Sequence, residues 1–131
     1  MTSYLWVATG GALGSVARFW LSGLIDQRGE TFPWGTMVVN VTGSALIGVL
    51  AALSEPEGRW LVSSELRQFL MIGLCGGYTT FSSFSLQTLT LARDGEWLYA
   101  VANALLSVIL CLLGVWLGSN LALLLNTLKT R

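Results

Sequence analysis

The sequence predicts an all-α membrane protein of four transmembrane helices, with the third helix broken near mid-membrane. Three observations lead there. Hydrophobic residues make up 53% of the 131 and charged residues only 11%, less than half the roughly 25% usual in soluble domains. Apolar stretches near the roughly 20 residues that cross a bilayer recur four times. One of those stretches holds adjacent glycines, threonines and serines where lipid would be. A chain this apolar cannot enclose a small core and still show water a polar surface, so lipid must be its solvent.

The spans are expected over residues 4–25, 36–53, 66–91 and 97–125, forming a single four-helix domain over residues 1–131. The polar links 26–30, 55–64 and 93–96 are short and leave no room for an extramembrane domain. Pro33 and Pro56 fall in or beside links, where a missing backbone donor does no harm. Tyr4, Trp34, Trp60 and Trp97 lie near span ends, as an aromatic belt requires. The N-terminus has no basic region before its apolar run and no obvious cleavage site, so the first span is expected to stay in the protein.

Orientation is poorly specified. One side would carry Arg59, Arg67, Lys129 and Arg131; the other Arg28 and Arg93, with Arg18 near that end of the first span. So even a distribution gives a feeble positive-inside signal. Either other factors fix one orientation, or the chain inserts both ways and pairs as an antiparallel homodimer, whose binding sites would lie at the interface near the midplane. Small-residue pairs provide packing surfaces: Gly10 with Gly14, Ser44 with Gly48, and Gly114 with Gly118.

Several function classes are excluded or disfavoured. Net charge is zero and there is no basic tract, so no nucleic-acid partner is expected. Residues 5–14 mimic a phosphate loop only loosely: the spacing is G-G-x-x-G and no βαβ pattern follows. Histidine is absent, and Cys75 and Cys111 belong to no ligand-spaced cluster, so both are expected as small buried hydrophobes. No base, nucleophile assembly or metal cluster suggests an enzyme.

The informative residues are polar ones that burial in lipid penalises. Arg67 sits at a span edge, and Arg18 is the one charge deeper inside an expected span; it either faces a cavity or snorkels to the interface. Asn40, between two valines, is either interhelical glue or a donor of two N–H groups to a dehydrated anion. In the third span, Gly76 and Gly77 are followed by Tyr78, Thr79 and Thr80, a combination that favours a helix break. Non-helical backbone at this depth must be buried in protein or line water, and its freed carbonyls can hold a cation. Beyond the break, Thr80, Ser83 and Gln87 make a polar stripe at helical spacing. Phe81 and Phe84 share the neighbouring face, either as ordinary packing or as electropositive ring edges that meet an anion.

The run Gly73-Leu-Cys-Gly-Gly-Tyr-Thr-Thr-Phe-Ser-Ser-Phe-Ser resembles the signature of the Fluc (CrcB-type) bacterial fluoride channels. Gly10-Gly-Ala-Leu-Gly-Ser-Val-Ala-Arg resembles that family's glycine-rich first helix ending in arginine. Gly35-Thr-Met-Val-Val-Asn resembles its second-helix motif. The likeness covers the whole chain in length and span order. It implies a multi-pass protein of the bacterial cytoplasmic (inner) membrane, forming a dual-topology homodimer with two antiparallel fluoride pores. It also implies a structural, untransported sodium at the dimer centre, held by the carbonyls of Gly76 and Thr79. The implied fluoride pathway comprises Arg18, Asn40, Thr80, Phe81, Ser83, Phe84, Gln87 and Ser107.

One departure matters: family members often carry glutamate where Gln87 stands, which removes any role for a titrating carboxylate there. Asn103 and Cys111 stand where an aromatic or hydroxyl group would be sought, and receive no role. The expected activity is passive fluoride conduction that protects the cell. A proton-coupled exporter of four short helices is the rival, but it needs a carboxylate embedded in the membrane, and every Asp and Glu lies in a link or at a span edge. A non-transporting packing subunit would explain the glycine pairs but not the polar stripe.

Overall fold

The computed structural model describes residues 2–26, 30–54 and 62–127. Arg28, Pro56, Arg59, Trp60, Lys129 and Arg131, which enter the expected charge balance and belt, lie outside these residues. Four long helical stretches run through the chain: α1 (Thr2–Asp26), α2 (Trp34–Leu53), a composite third stretch and α6 (Trp97–Thr127). The third stretch begins as α3 (Ser64–Arg67), continues as a π-helix (Gln68–Cys75) and α4 (Gly76–Tyr78), and resumes beyond a break as α5 (Phe81–Arg93). Each end lies within two residues of its expected place. Long uncharged runs fix these limits, since a helix satisfies its own backbone groups wherever lipid cannot.

α2, the stretch Ser64–Arg93 and α6 are long and apolar enough to cross a membrane. α1 is long enough at 25 residues, but Arg18 and its glycines and serines keep it out of that set. The outer surface is what lipid would require: Phe19, Leu98, Leu112 and Trp116 are all exposed, as are the belt residues Tyr4, Trp34 and Trp97.

Glycine sets the helix pairing. A Cβ on Gly10 or Gly14 would overlap backbone of the third stretch at Phe69, Leu74 and Tyr78, and a Cβ on Gly77 would meet Gly11. On the other side, Gly48 lies against Val115 and Ser119, while Gly114 and Gly118 lie against Val41, Ala45 and Val49. Contacts advance in the same sense along both partners, so α1 runs parallel to the third stretch and α2 parallel to α6. The expected small-residue pairs are therefore used inside one chain. Close backbone approach substitutes for the hydrophobic effect, which is weak between helices already in lipid.

The α1–α2 link is tied by one contact. Pro33 precedes α2 and gives it no side-chain cap; instead Gly35 N–H donates to Asp26 Oδ1 at 2.9 Å. The carboxylate sits at the positive end of α2, where it is favoured. Phe32 is buried between Trp34 and Tyr99, with ring centroids at 4.5 and 6.1 Å.

The break falls within the expected Gly76–Thr80 run, at its threonines. Gly76 and Gly77 are helical, and the chain opens one turn later, at Thr79 (φ −79°, ψ 158°) and Thr80 (φ −150°, ψ 114°). At Gly77 the missing side chain serves close approach to α1, a demand that low helix propensity does not reveal.

Candidate functional site

Two extended residues inside a helical span leave backbone groups without their intrahelical partners, and in lipid each must be satisfied by protein. Asn40 of α2 answers for Thr80 on both sides. Its Oδ1 accepts from Thr80 N–H at 2.7 Å and its Nδ2 donates to Thr80 C=O at 3.0 Å. The side-chain amide thus stands in for a neighbouring peptide. Thr80 itself caps α5, its Oγ1 accepting from Ser83 N–H at 3.2 Å and donating to Ser83 Oγ at 3.0 Å. From α1, Arg18 Nε donates to Gly77 C=O at 3.3 Å and Ser15 Oγ to the same oxygen at 3.4 Å. Arg18 is therefore held at the break by its guanidinium, a choice neither cavity nor snorkelling alone describes.

With Thr80 N–H turned to Asn40, the Gly76 carbonyl loses the donor that would close its helical turn. Thr79 keeps a helical tie, with both its N–H and its hydroxyl donating to Cys75 C=O at 3.0 Å.

A cleft of about 390 Å³ lies against this break, between α2, the third stretch and α6. It brings together Asn40, Thr80, Phe81, Phe84 and Ser107, with Gly76 and Thr79 at the same wall. Ser83, Gln87 and Arg18 are not in its lining. Gln87 Oε1 is buried with no hydrogen-bond partner among the described residues. The Phe81 and Phe84 rings lie 5.4 Å apart at 50°. Phe81 is 77% exposed, so it cannot be ordinary core packing within this chain.

The lining includes residues that sequence reasoning passed over: Gly43, Ser44, Met71 and Cys111. Ser44 and Cys111 each stand four residues beyond a predicted site residue, Asn40 and Ser107, so helical period was the available signal. Cys75 is buried as expected, while Cys111 is half-buried and faces the cleft.

Chemically, the cleft offers amide and hydroxyl donors and two phenyl rings, with no Asp, Glu, Lys or Arg in its lining. One proton of the Asn40 NH2 goes to Thr80; the other has no partner among the described residues. Such a wall suits a small anion, whose shed water is replaced by donors and ring edges and whose charge no carboxylate repels.

The chain matches the family model described as CrcB-like protein, Camphor Resistance (CrcB), over residues 5–119. Among curated proteins it is similar to the "Fluoride-specific ion channel FluC" of Rhodospirillum rubrum, 60% identical across 95% of this chain and 97% of that one. The protein of the same name in Opitutus terrae is 61% identical across 98% of both chains. That of Methylocella silvestris is 55% identical across 96% of this chain and 97% of its own.

Proposed function

The chain belongs to the CrcB-like family, and from that premise we propose that it is a multi-pass membrane protein acting as a passive, fluoride-selective ion channel. The observation that carries the reading is the cleft at the Thr79–Thr80 break, where Asn40, Thr80, Phe81, Phe84 and Ser107 meet without a carboxylate. Relatives named as fluoride-specific ion channels support it across nearly the full chain.

Fluoride is small and strongly hydrated, so a pore must replace its water with donors. The free proton of the Asn40 amide, the hydroxyls of Thr80 and Ser107, and the edges of Phe81 and Phe84 supply them. Ser83 and Gln87 extend the track along α5, and Arg18 sets a positive charge at the break. Larger halides fit so narrow a wall poorly. Fluoride leaves the cytoplasm down its electrochemical gradient, aided by about 2.3 kcal/mol per 100 mV of interior-negative potential.

All four helices, α1 included, span the bacterial inner membrane. The working unit is an antiparallel homodimer of dual topology with two pores. Two features support it: the cleft leaves Phe81 and Gly76 exposed in a single chain, and the Lys and Arg residues of the sequence divide four against three between the two sides. A structural sodium at the dimer centre fits the donor set, because the Gly76 carbonyl is released by the break and backbone oxygens suit a hard cation. The carbonyls of Gly76 and Thr79, from both copies, would hold that ion, which neutralises converging dipoles and is not transported.

The test is fluoride efflux from liposomes, followed with a fluoride electrode and with chloride as control. Rapid fluoride release without chloride release, needing no proton gradient, is the expected result. In protein that elutes as a folded assembly, Phe81→Ile is expected to slow that release at least tenfold, about 1.4 kcal/mol. No release from folded wild-type protein would overturn the channel reading, and intact flux in Phe81→Ile would favour a packing subunit.

A further inference from the structure

Seven hydroxyls in the helical stretches donate to the carbonyl four residues back. They are those of Thr9, Ser22, Thr42, Ser54, Thr79, Ser85 and Thr88, at 2.6 to 3.0 Å. This is the default for serine and threonine in a helix. Ser107 departs from it, as do Ser15 and Ser119, which donate to carbonyls of other stretches. Ser107 is buried, lines the cleft, and donates instead to the side-chain Oδ1 of Asn103 at 3.3 Å. Asn103 is 1% exposed and is itself anchored: its Nδ2 donates to Thr88 Oγ1 at 2.8 Å, and Thr88 Oγ1 donates to Phe84 C=O at 2.8 Å. A chain of hydrogen bonds therefore runs from the cleft wall through α6 to the backbone of the phenylalanine beside the cleft.

We infer that Asn103 is a positioning residue for conduction: it holds the Ser107 hydroxyl away from its own helix backbone, on a long bond from which it can turn to an anion in the cleft. The inference rests on the fluoride reading above and assigns a role to a residue outside the cleft lining. The energetics favour release in the right order. A neutral bond at 3.3 Å is weak, whereas a bond to an anion is shorter and roughly twice as strong as a neutral one. The Asn103–Thr88 bond is short and stays made, so the amide remains in place while the hydroxyl turns. Without Asn103, Ser107 would fall into the backbone-bonded state of the other seven, where its only proton is already spent.

The test is a mutant cycle on liposomal fluoride efflux with wild type, Ser107→Ala, Asn103→Leu and the double variant. Asn103→Leu leaves Thr88 its bond to Phe84 and so orphans no group. Each single change is expected to slow fluoride efflux about fivefold, the scale of one hydrogen bond. The double variant should be no slower than either, because Asn103 acts only through Ser107. A merely structural Asn103 would instead lower flux by the same factor with or without the serine, and multiplied losses would overturn the inference. Thr88→Val guards against misfolding at position 103. By removing the anchor it should slow efflux about twofold, and not at all in the Ser107→Ala background; a loss that persists there also overturns the inference. Silence of the folded wild type would overturn the fluoride reading and this inference together, whereas a conducting wild type with multiplied losses overturns the inference alone.

Discussion

The two halves of the third stretch follow one another in sequence and have opposite surroundings. Before the break, α3, the π-helix and α4 lie along α1, with glycines of both partners in backbone contact and no room for a single methyl at Gly10, Gly14 or Gly77. After the break, α5 touches α2 and α6 but not α1; its Phe81 and Phe84 line the cleft, and its Thr88 meets Asn103 of α6. The first half is sealed by what it lacks, side chains. The second is defined by what its side chains can donate. Sealing needs backbone-to-backbone approach, while a pathway needs separated walls, so one continuous helix packed one way could not supply both. The break lets the chain change partners at mid-span, and Asn40 makes the change tolerable.

If the join is that important, breaking it should have the largest effect. Asn40→Leu leaves the Thr80 N–H without a partner and takes from the Thr80 C=O one of its donors, a loss of about 2 kcal/mol and of roughly 30-fold in flux if it is spent on the conducting form. Thermal unfolding in detergent and fluoride efflux would both register it. Near-normal values would show that the two halves do not depend on their seam.

The sealed half is probed by two alanines three residues apart. Gly14→Ala forces a methyl onto the Leu74 carbonyl and Tyr78 N–H, whereas Gly11→Ala points into open space. The first is expected to cost about 1–3 kcal/mol of stability and the second almost nothing, read as a difference in unfolding temperature. Equal values would remove the contrast between the halves.

The smallest effect belongs to the open half. In Gln87→Glu, a protonated carboxyl resembles the amide and an ionised one repels the anion. Fluoride efflux should match wild type while the carboxyl is protonated and fall about twofold once it is ionised. A rate the same in both forms would place Gln87 away from the ion's path.

The sequence made the helices and their limits legible, because hydropathy and helical period are local signals. It also located the break to within a turn, since Gly76, Gly77, Thr79 and Thr80 are weak helix formers side by side. It did not separate the glycines, which stay helical, from the threonines, where the chain opens, for glycine reads alike whether it ends a helix or lets two approach. The partners of Asn40 and Arg18 were beyond its reach, because Thr80 is 40 residues and Gly77 59 residues away and no local pattern encodes such distances. Ser107 and Asn103 show the same limit: four apart on one helix, they were legible as neighbours, but their tie to Thr88 was not.

The π-helix Gln68–Cys75 makes the whole arrangement unusually sensitive to chain length. A π turn holds one residue more than an α turn, so everything downstream is rotated by about 100° relative to an uninterrupted α-helix. Loss of one residue between Gln68 and Cys75 would leave hydropathy, span length and the residues after the break intact. It would nonetheless swing the Thr79–Thr80 corner off Asn40 and carry Gly77 away from α1. In this stretch a single-codon deletion is a change of direction, and the reading frame of the helix matters as much as its composition.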